Sequence, residues 1–250
     1  MQVVRIGDHV ARLKAWFGPA VDGKQMDNVM NLQPERILAI GDVHGCAQAL
    51  TALLDAIQPG ADDVVVTIGD YVDRGPDSKG VIEQLIELQD RTHLVPLMGN
   101  HELMMLRGLE ASSELGYWLQ FGGRETVDSY GGKIANIPEE HVEFLDRCYD
   151  YYETADHFFV HANYQFDAPL NDQRELVRFW THLEEIPPPH DSGKIAVVGH
   201  TPQATGEVLD CGHVICVDTC CFGGGWLTAL DVKSGKTWQA DLAGKMRVAD

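Results

Sequence analysis

Arg36-Ile37-Leu38-Ala39-Ile40-Gly41-Asp42-Val43-His44-Gly45 opens the organised part of this 250-residue chain. Four consecutive apolar residues read as a strand covered on both faces, and a glycine, a carboxylate and an imidazole follow at once. The same arrangement returns four times. Val64-Val65-Val66-Thr67-Ile68 runs into Gly69-Asp70, and His93-Leu94-Val95-Pro96-Leu97-Met98 into Gly99-Asn100-His101. His157-Phe158-Phe159-Val160 ends in His161, and Ile195-Ala196-Val197-Val198-Gly199 in His200. In open α/β sheets the crevice at the carboxyl ends of the strands binds ligands, so polar residues delivered there by separate strands converge.

Outward from these runs, helical patterns over Cys46–Ile57 and Ser78–Gln89 separate the first three strands at intervals of roughly 30 residues, the length of a βαβ unit. Residues 101–150 read as helical, broken at Gly122-Gly123 and Gly131-Gly132. After His157 strands dominate, with a helix predicted around Gln173–Glu185 and stopped by Pro187-Pro188-Pro189, since proline cannot continue a helix. Short strands are expected at Ile195–Val198, Glu207–Leu209, Val214–Val217, Leu227–Asp231 and Thr237–Ala240, with Lys233-Ser234-Gly235-Lys236 as a hairpin turn. The predicted class is α/β, with mixed β-sheets in a β-sandwich flanked by α-helices. Residues 1–34, weakly amphipathic over Val10–Phe17 and then polar, read as an N-terminal extension on a single domain covering 35–250.

The charge balance narrows the function. Nineteen basic residues oppose 38 acidic ones, for a net charge of -19, which argues against a nucleic-acid partner because such affinity comes from clustered Lys and Arg. No run approaches the roughly 18 apolar residues of a membrane span, and Met1–Asp8 has no signal-peptide core, so no membrane contact and a cytoplasmic address are expected. Four of the six cysteines (Cys211, Cys216, Cys220, Cys221) crowd into one segment without a CxxC pair. Reduced, partly buried thiols are the expected state rather than a disulfide framework or a zinc finger.

The blocks Gly41-Asp42-Val43-His44-Gly45, Gly69-Asp70-Tyr71-Val72-Asp73-Arg74-Gly75, Gly99-Asn100-His101-Glu102, His161, and Val198-Gly199-His200-Thr201-Pro202 carry a resemblance. Together and in this order they resemble the PPP-type phosphoprotein phosphatases of the calcineurin-like metallophosphoesterase superfamily, over about residues 36–232. The resemblance implies the calcineurin-like fold and two divalent metal ions. Asp42, His44 and Asp70 would bind one ion, and Asn100, His161, His200 and the bridging Asp70 the other. It also implies direct attack by a hydroxide bridging the ions, with His101 as general acid oriented by Asp73.

Charge counting suits that ligand set. Two divalent ions bring four positive charges; Asp42, Asp70 and a hydroxide remove three, leaving one for an incoming phosphate dianion. Mixed nitrogen and oxygen ligands favour manganese, iron or zinc over calcium or magnesium, with manganese the leading expectation. Arg74 offers a planar fork suited to phosphate oxygens. Relatives usually carry a second phosphate-binding arginine after a Leu-Trp pair, whereas this chain reads Leu176-Val177-Arg178-Phe179-Trp180-Thr181-His182. Aligned on the tryptophan that position is His182; Arg178, one helical turn away, is the candidate to supply the charge instead, with an ordinary solvent-facing role as the alternative. Asp218-Thr219-Cys220 departs as well, where a glycine often follows the Asp-Thr.

The resulting expectation is a compact bacterial or phage-type phosphatase of phosphoserine and phosphothreonine in a protein or peptide partner. The alternative is a symmetrical dinucleoside polyphosphate (diadenosine tetraphosphate) hydrolase, and an inactive phosphopeptide-binding module is a third reading.

Overall fold

Strands β1 (Ile37–Ile40), β2 (Val64–Thr67) and β3 (His93–Pro96) lie side by side in parallel, joined by helices α1 (Ala47–Ile57) and α2 (Ser78–Gln89). The computed structural model describes residues 34–248, so the N-terminal extension expected over residues 1–34 lies outside the described residues except for Pro34. The sheet is extended beyond β1 by antiparallel β10 (Trp226–Asp231) and β11 (Thr237–Ala240), and the short β9 (Asp218–Thr219) also pairs with β10. A second sheet runs β4-β5-β6-β8-β7, with β4 at Tyr151–Glu153, β5 at His157–Val160 and β6 at Ile195–Val198. Its remaining strands are β7 (Leu209–Asp210) and β8 (Val214–Cys216); β5, β6 and β8 are parallel.

Alternation along the strands sorts side chains into layers, because successive residues face opposite sides of a sheet. Ile37, Ala39, Val64, Val66 and Ile68 meet Phe159, Val197 and Val217 between the two sheets. Leu38, Ile40 and Val65 turn the other way, onto Leu50, Leu53, Ile82 and Leu85 of α1 and α2. On the outer face of the second sheet, Phe158, Val160, Ala196 and Val198 pack with Tyr164, Leu170 and Leu183. The predicted β-sandwich flanked by helices is therefore the observed one.

The helical middle comprises α3 (Asn100–Glu110), α4 (Ser112–Trp118), α5 (Arg124–Ser129) and α6 (Glu139–Asp146), with α4 and α5 joined through Leu119–Gly123, where the backbone is non-helical at Phe121 and Gly122. One expectation is corrected. Helix α7 spans Glu175–Trp180 and stops well before the prolines, with Thr181 extended and its hydroxyl donating to the Leu176 carbonyl. Strand β4 fills the gap between the helical segment ending near residue 150 and the strands after His157, since Tyr151–Glu153 pair antiparallel with Phe158–Val160. All six cysteines are free thiols, as expected, and no helix among the described residues is long and apolar enough to cross a membrane.

Candidate metal and catalytic site

The loops after β1, β2, β3, β5 and β6 meet at one end of the two sheets. Val43 and His44 both donate backbone N–H to the Asp70 carbonyl (3.1 and 2.7 Å), and Gly45 donates to that of Tyr71, which straps the first two loops together. Gly199 donates to the His161 carbonyl and ties the fourth loop to the fifth. Strain concentrates here. Of seven non-glycine residues with positive φ among the described residues, five are His44, Asp70, Asp73, Arg74 and His200. Left-handed backbone costs an ordinary residue on the order of 1–2 kcal/mol and clusters at functional sites.

Among the glycines that precede these residues, Gly69 takes the positive φ of a sharp turn before Asp70. Gly99 and Gly199 do not adopt positive φ. A Cβ on Gly199 would lie 2.0 Å from Asp42 Oδ1, and one on Gly99 2.3 Å from Asp70 Oδ1. These two glycines make room for carboxylates, while His44, Asp70 and His200 bear positive φ themselves.

The rings of three histidines are fixed in one tautomer. His44 Nδ1 donates to the Val72 carbonyl (2.9 Å), His161 Nδ1 to that of Ile68 (2.8 Å), and the His200 ring bonds the Trp180 backbone. Because a carbonyl only accepts, Nδ1 carries the proton in His44 and His161, and the Nε2 lone pair points inward; metal-ligating histidines are oriented by such partners. Burial lowers the pKa of His161, and burial with neighbouring His161 lowers that of His200 to about 3, so both lone pairs are free at neutral pH.

Asp70 faces two histidines with its two oxygens: Oδ2 is 3.3 Å from His44 Nε2 and Oδ1 is 3.4 Å from His161 Nε2. His44, Asp70 and His101 form one group with ligand atoms within 4.8 Å of one another, and Asp70, His161 and His200 form a second. Asp70 is common to both. Asn100 Oδ1 lies 3.0 Å from His161 Nε2, and Asp42 Oδ2 accepts the His200 backbone N–H at 2.9 Å. All six residues assigned as ligands thus reach one cluster, and His101 joins it as well.

Several features of this cluster fit bound cations. Asp42 Oδ1, His101 Nε2 and His200 Nε2 are buried without a hydrogen-bond partner, three of five such side-chain atoms among the described residues. Burial raises the Asp42 carboxyl well above its usual range, and the Asp218 and Asp70 carboxylates raise it further. Burial opposes ionisation of Asp70, but His161, His101 and His44 outweigh it and hold that carboxyl well below the usual range. The Arg74 guanidinium donates to His44 Nε2 at 3.1 Å, the lone pair a metal would use. The donor set is nitrogen and oxygen without thiolate, which suits manganese, iron or zinc.

His101 and Asp73 form a buried hydrogen-bonded pair beside the cluster. His101 Nδ1 lies 2.8 Å from Asp73 Oδ2, leaving Nε2 free toward the cluster. Asp73 is fully buried and also accepts from Trp118 Nε1 (3.0 Å) and the Thr126 hydroxyl (2.7 Å). Neither Trp118 nor Thr126 is suggested by the strand-end motifs, since both come from the helical middle. Glu102 has a comparable role. Its carboxylate accepts the backbone N–H of Gly99, Asp70 and Tyr71 at 2.7–2.9 Å, bolting the β2 and β3 loops together. Its place at the third position of α3, bonding back to Gly99, is half a capping box and is a signal the sequence does carry.

Arg74 and Arg178, the two assigned phosphate contacts, differ. Arg74 is exposed and its guanidinium lies over the Phe222 ring at 5.0 Å, beside His44. Arg178 is engaged elsewhere, by Asp150 (3.1 Å) and the Gln173 carbonyl (3.4 Å). His182 rather than Arg178 touches the cluster, its ring stacked on that of His200 with centroids 4.4 Å apart. Asp218, noted in the sequence only as a departure, is a third buried carboxylate acting on Asp42.

Comparison with known proteins extends this geometry. Over 88 residues the chain is 38% identical to serine/threonine-protein phosphatase 1 of Salmonella typhimurium, covering 35% of this chain and 38% of that protein. Over 80 residues it is 39% identical to the symmetrical bis(5'-nucleosyl)-tetraphosphatase of Nitrosospira multiformis, covering 32% of this chain and 28% of the relative. The aligned stretches therefore span little more than a third of these curated relatives at most. Among solved structures, a candidate diadenosine tetraphosphatase superposes with a TM-score of 0.64 at 23% identity, covering 84% of this chain and 96% of that one. A cold-active protein-tyrosine phosphatase of a psychrophilic Shewanella superposes with a TM-score of 0.63 at 19% identity, covering 86% and 80%. The family profile described as calcineurin-like phosphoesterase matches residues 35–229. With its sandwich, its strand-end histidines and its shared aspartate, this chain belongs to the calcineurin-like phosphoesterase family.

Proposed function

We propose that this phosphoesterase cleaves the phosphoanhydride of symmetrical dinucleoside polyphosphates. The observation that carries the hydrolytic reading is the inward set of unpartnered atoms, Asp42 Oδ1, His101 Nε2 and His200 Nε2, around a carboxylate shared by two histidine groups. Asp42, His44 and Asp70 would hold one divalent ion, and Asp70, Asn100, His161 and His200 a second. The chemistry supplied there when ions are bound is polarisation of phosphoryl oxygens and activation of water. Arg74 sits at the exposed rim, where its fork grips a phosphate oxygen. His101, held by Asp73, delivers a proton from Nε2 to the leaving oxygen.

The order of substrates differs from the one the sequence motifs suggested, which placed phosphoserine and phosphothreonine proteins first. Support for the change is the recurrence of symmetrical tetraphosphatases from Nitrosospira, Burkholderia and Acidovorax among the curated relatives. A phosphoprotein substrate is the second reading, favoured by the Salmonella phosphatase. The two are separated by offering the manganese-loaded full chain diadenosine tetraphosphate and a phosphoserine peptide. Metal-dependent formation of ADP as the only nucleotide product is expected. Phosphate release from the peptide with the dinucleotide left intact would overturn the first reading.

A further inference from the structure

Tyr117 and Phe121 are among the most exposed large apolar residues described, at 48% and 45%, and their rings lie against each other with centroids 4.6 Å apart. That ring contact sets both side chains on one side of the chain, while Trp118 between them is fully buried and bonds Asp73. The turn that carries Phe121 is bound directly to the catalytic end. Arg74 N–H donates to the Gly122 carbonyl at 3.2 Å, and a Cβ on Gly122 would lie 2.8 Å from Arg74 Cγ. The helical path breaks at Phe121 and Gly122 themselves, where Gly122 takes a φ of 109°.

We propose that Tyr117 and Phe121 form a stacking platform for a nucleobase of the substrate, with Arg74 holding the phosphate chain beside it. This rests on the dinucleoside polyphosphate reading and names the part of the molecule that would read its base. A planar base has a π-face for an exposed ring, and stacking on aromatic side chains needs no base-specific hydrogen bonds. The platform acts on affinity rather than on bond cleavage. Water adds to one central phosphorus, the bridging oxygen leaves with the other half, and two nucleoside diphosphates result whether or not a base is stacked.

The test compares wild type with Phe121→Ala, Tyr117→Ala and Phe121→Trp, all manganese-loaded, on diadenosine tetraphosphate and on inorganic tetrapolyphosphate, which has no base. Binding of ADP and of inorganic pyrophosphate is measured in parallel by calorimetry. For each alanine variant the dinucleotide KM and the ADP Kd are expected to rise on the order of 10-fold, with the base-free ligands changing less than twofold. Phe121→Trp should restore the wild-type values. If wild type cleaves the dinucleotide but both alanine variants bind ADP as wild type does, the platform is overturned while the activity stands. If wild type cleaves only phosphopeptides, the activity reading fails, and a KM rise confined to those peptides assigns the rings to a protein substrate and overturns the nucleobase.

Discussion

The two ends of the parallel strands treat charge in opposite ways. At the amino end, Arg36 caps the Ile57 carbonyl (3.1 Å) and forks onto Asp63, Nε to Oδ1 at 2.9 Å and Nη2 to Oδ2 at 2.5 Å, while Gly60 N–H satisfies the same carboxylate. Both of these charges are partnered. At the carboxyl end, Asp42, Asp70 and Asp218 crowd together with buried histidines, three atoms are orphaned, and five residues adopt left-handed backbone. One end pairs its charges, whereas the other leaves buried carboxylates and imidazole lone pairs unmet.

The largest effect should come from the acid. His101→Asn should lower kcat on a phosphoserine peptide or alkyl phosphate by roughly 100- to 10,000-fold, the usual worth of a general acid. The loss should be smaller on diadenosine tetraphosphate, because a diphosphate leaves more readily than an alkoxide, and bound manganese should be retained. Equal turnover on all substrates would remove His101 from proton transfer.

Manganese should come next. Saturation at about 100 times the Kd should stabilise the fold by about 2.7 kcal/mol, a Tm rise of several degrees for a domain this size. Asp42→Asn relieves carboxylate repulsion, so its metal-free Tm should exceed that of wild type while most of the manganese shift disappears. A lower metal-free Tm would show that Asp42 is a structural rather than a functional carboxylate.

Asp63→Asn is the matching change at the other end and should cost about 2 kcal/mol, since it breaks a largely buried charge-assisted pair. The pH response sharpens the contrast. The Arg36 hydrogen bond holds the Asp63 carboxyl below its usual value, so its contribution is present above about pH 4 and is lost on acidification. Glu102 has the reverse sign: burial and Asp70 raise it from 4.5 to about 8. The metal-free fold then binds more protons than the unfolded chain between those values, and stability falls as pH rises through that window. Chemical denaturation of metal-free wild type and Glu102→Gln from pH 4 to 9 reads this, and the variant should lose the alkaline decline.

The cage was legible because each ligand follows a short apolar run, so one repeated local pattern reported a convergence that is global. Its supports were not. Trp118, Thr126 and Phe222 reach Asp73 and Arg74 from segments with no strand-end grammar, across sequence separations of 45 and 53 residues for the two that bond Asp73. Arg178 illustrates the same limit, since helical spacing from His182 does not reveal that Asp150 holds its guanidinium. The fold was read well where strands alternate and less well at α7, where Thr181 ends the helix by a side-chain bond that the prolines do not foretell.

The measurement closest to the central claim is a manganese titration of the metal-free full chain by calorimetry, run beside Asp70→Asn. Two ions per wild-type chain are expected, and the loss or severe weakening of both in the variant, because one carboxylate serves both groups. No bound ion in wild type, or two sites undisturbed by Asp70→Asn, would contradict the shared-carboxylate metal centre.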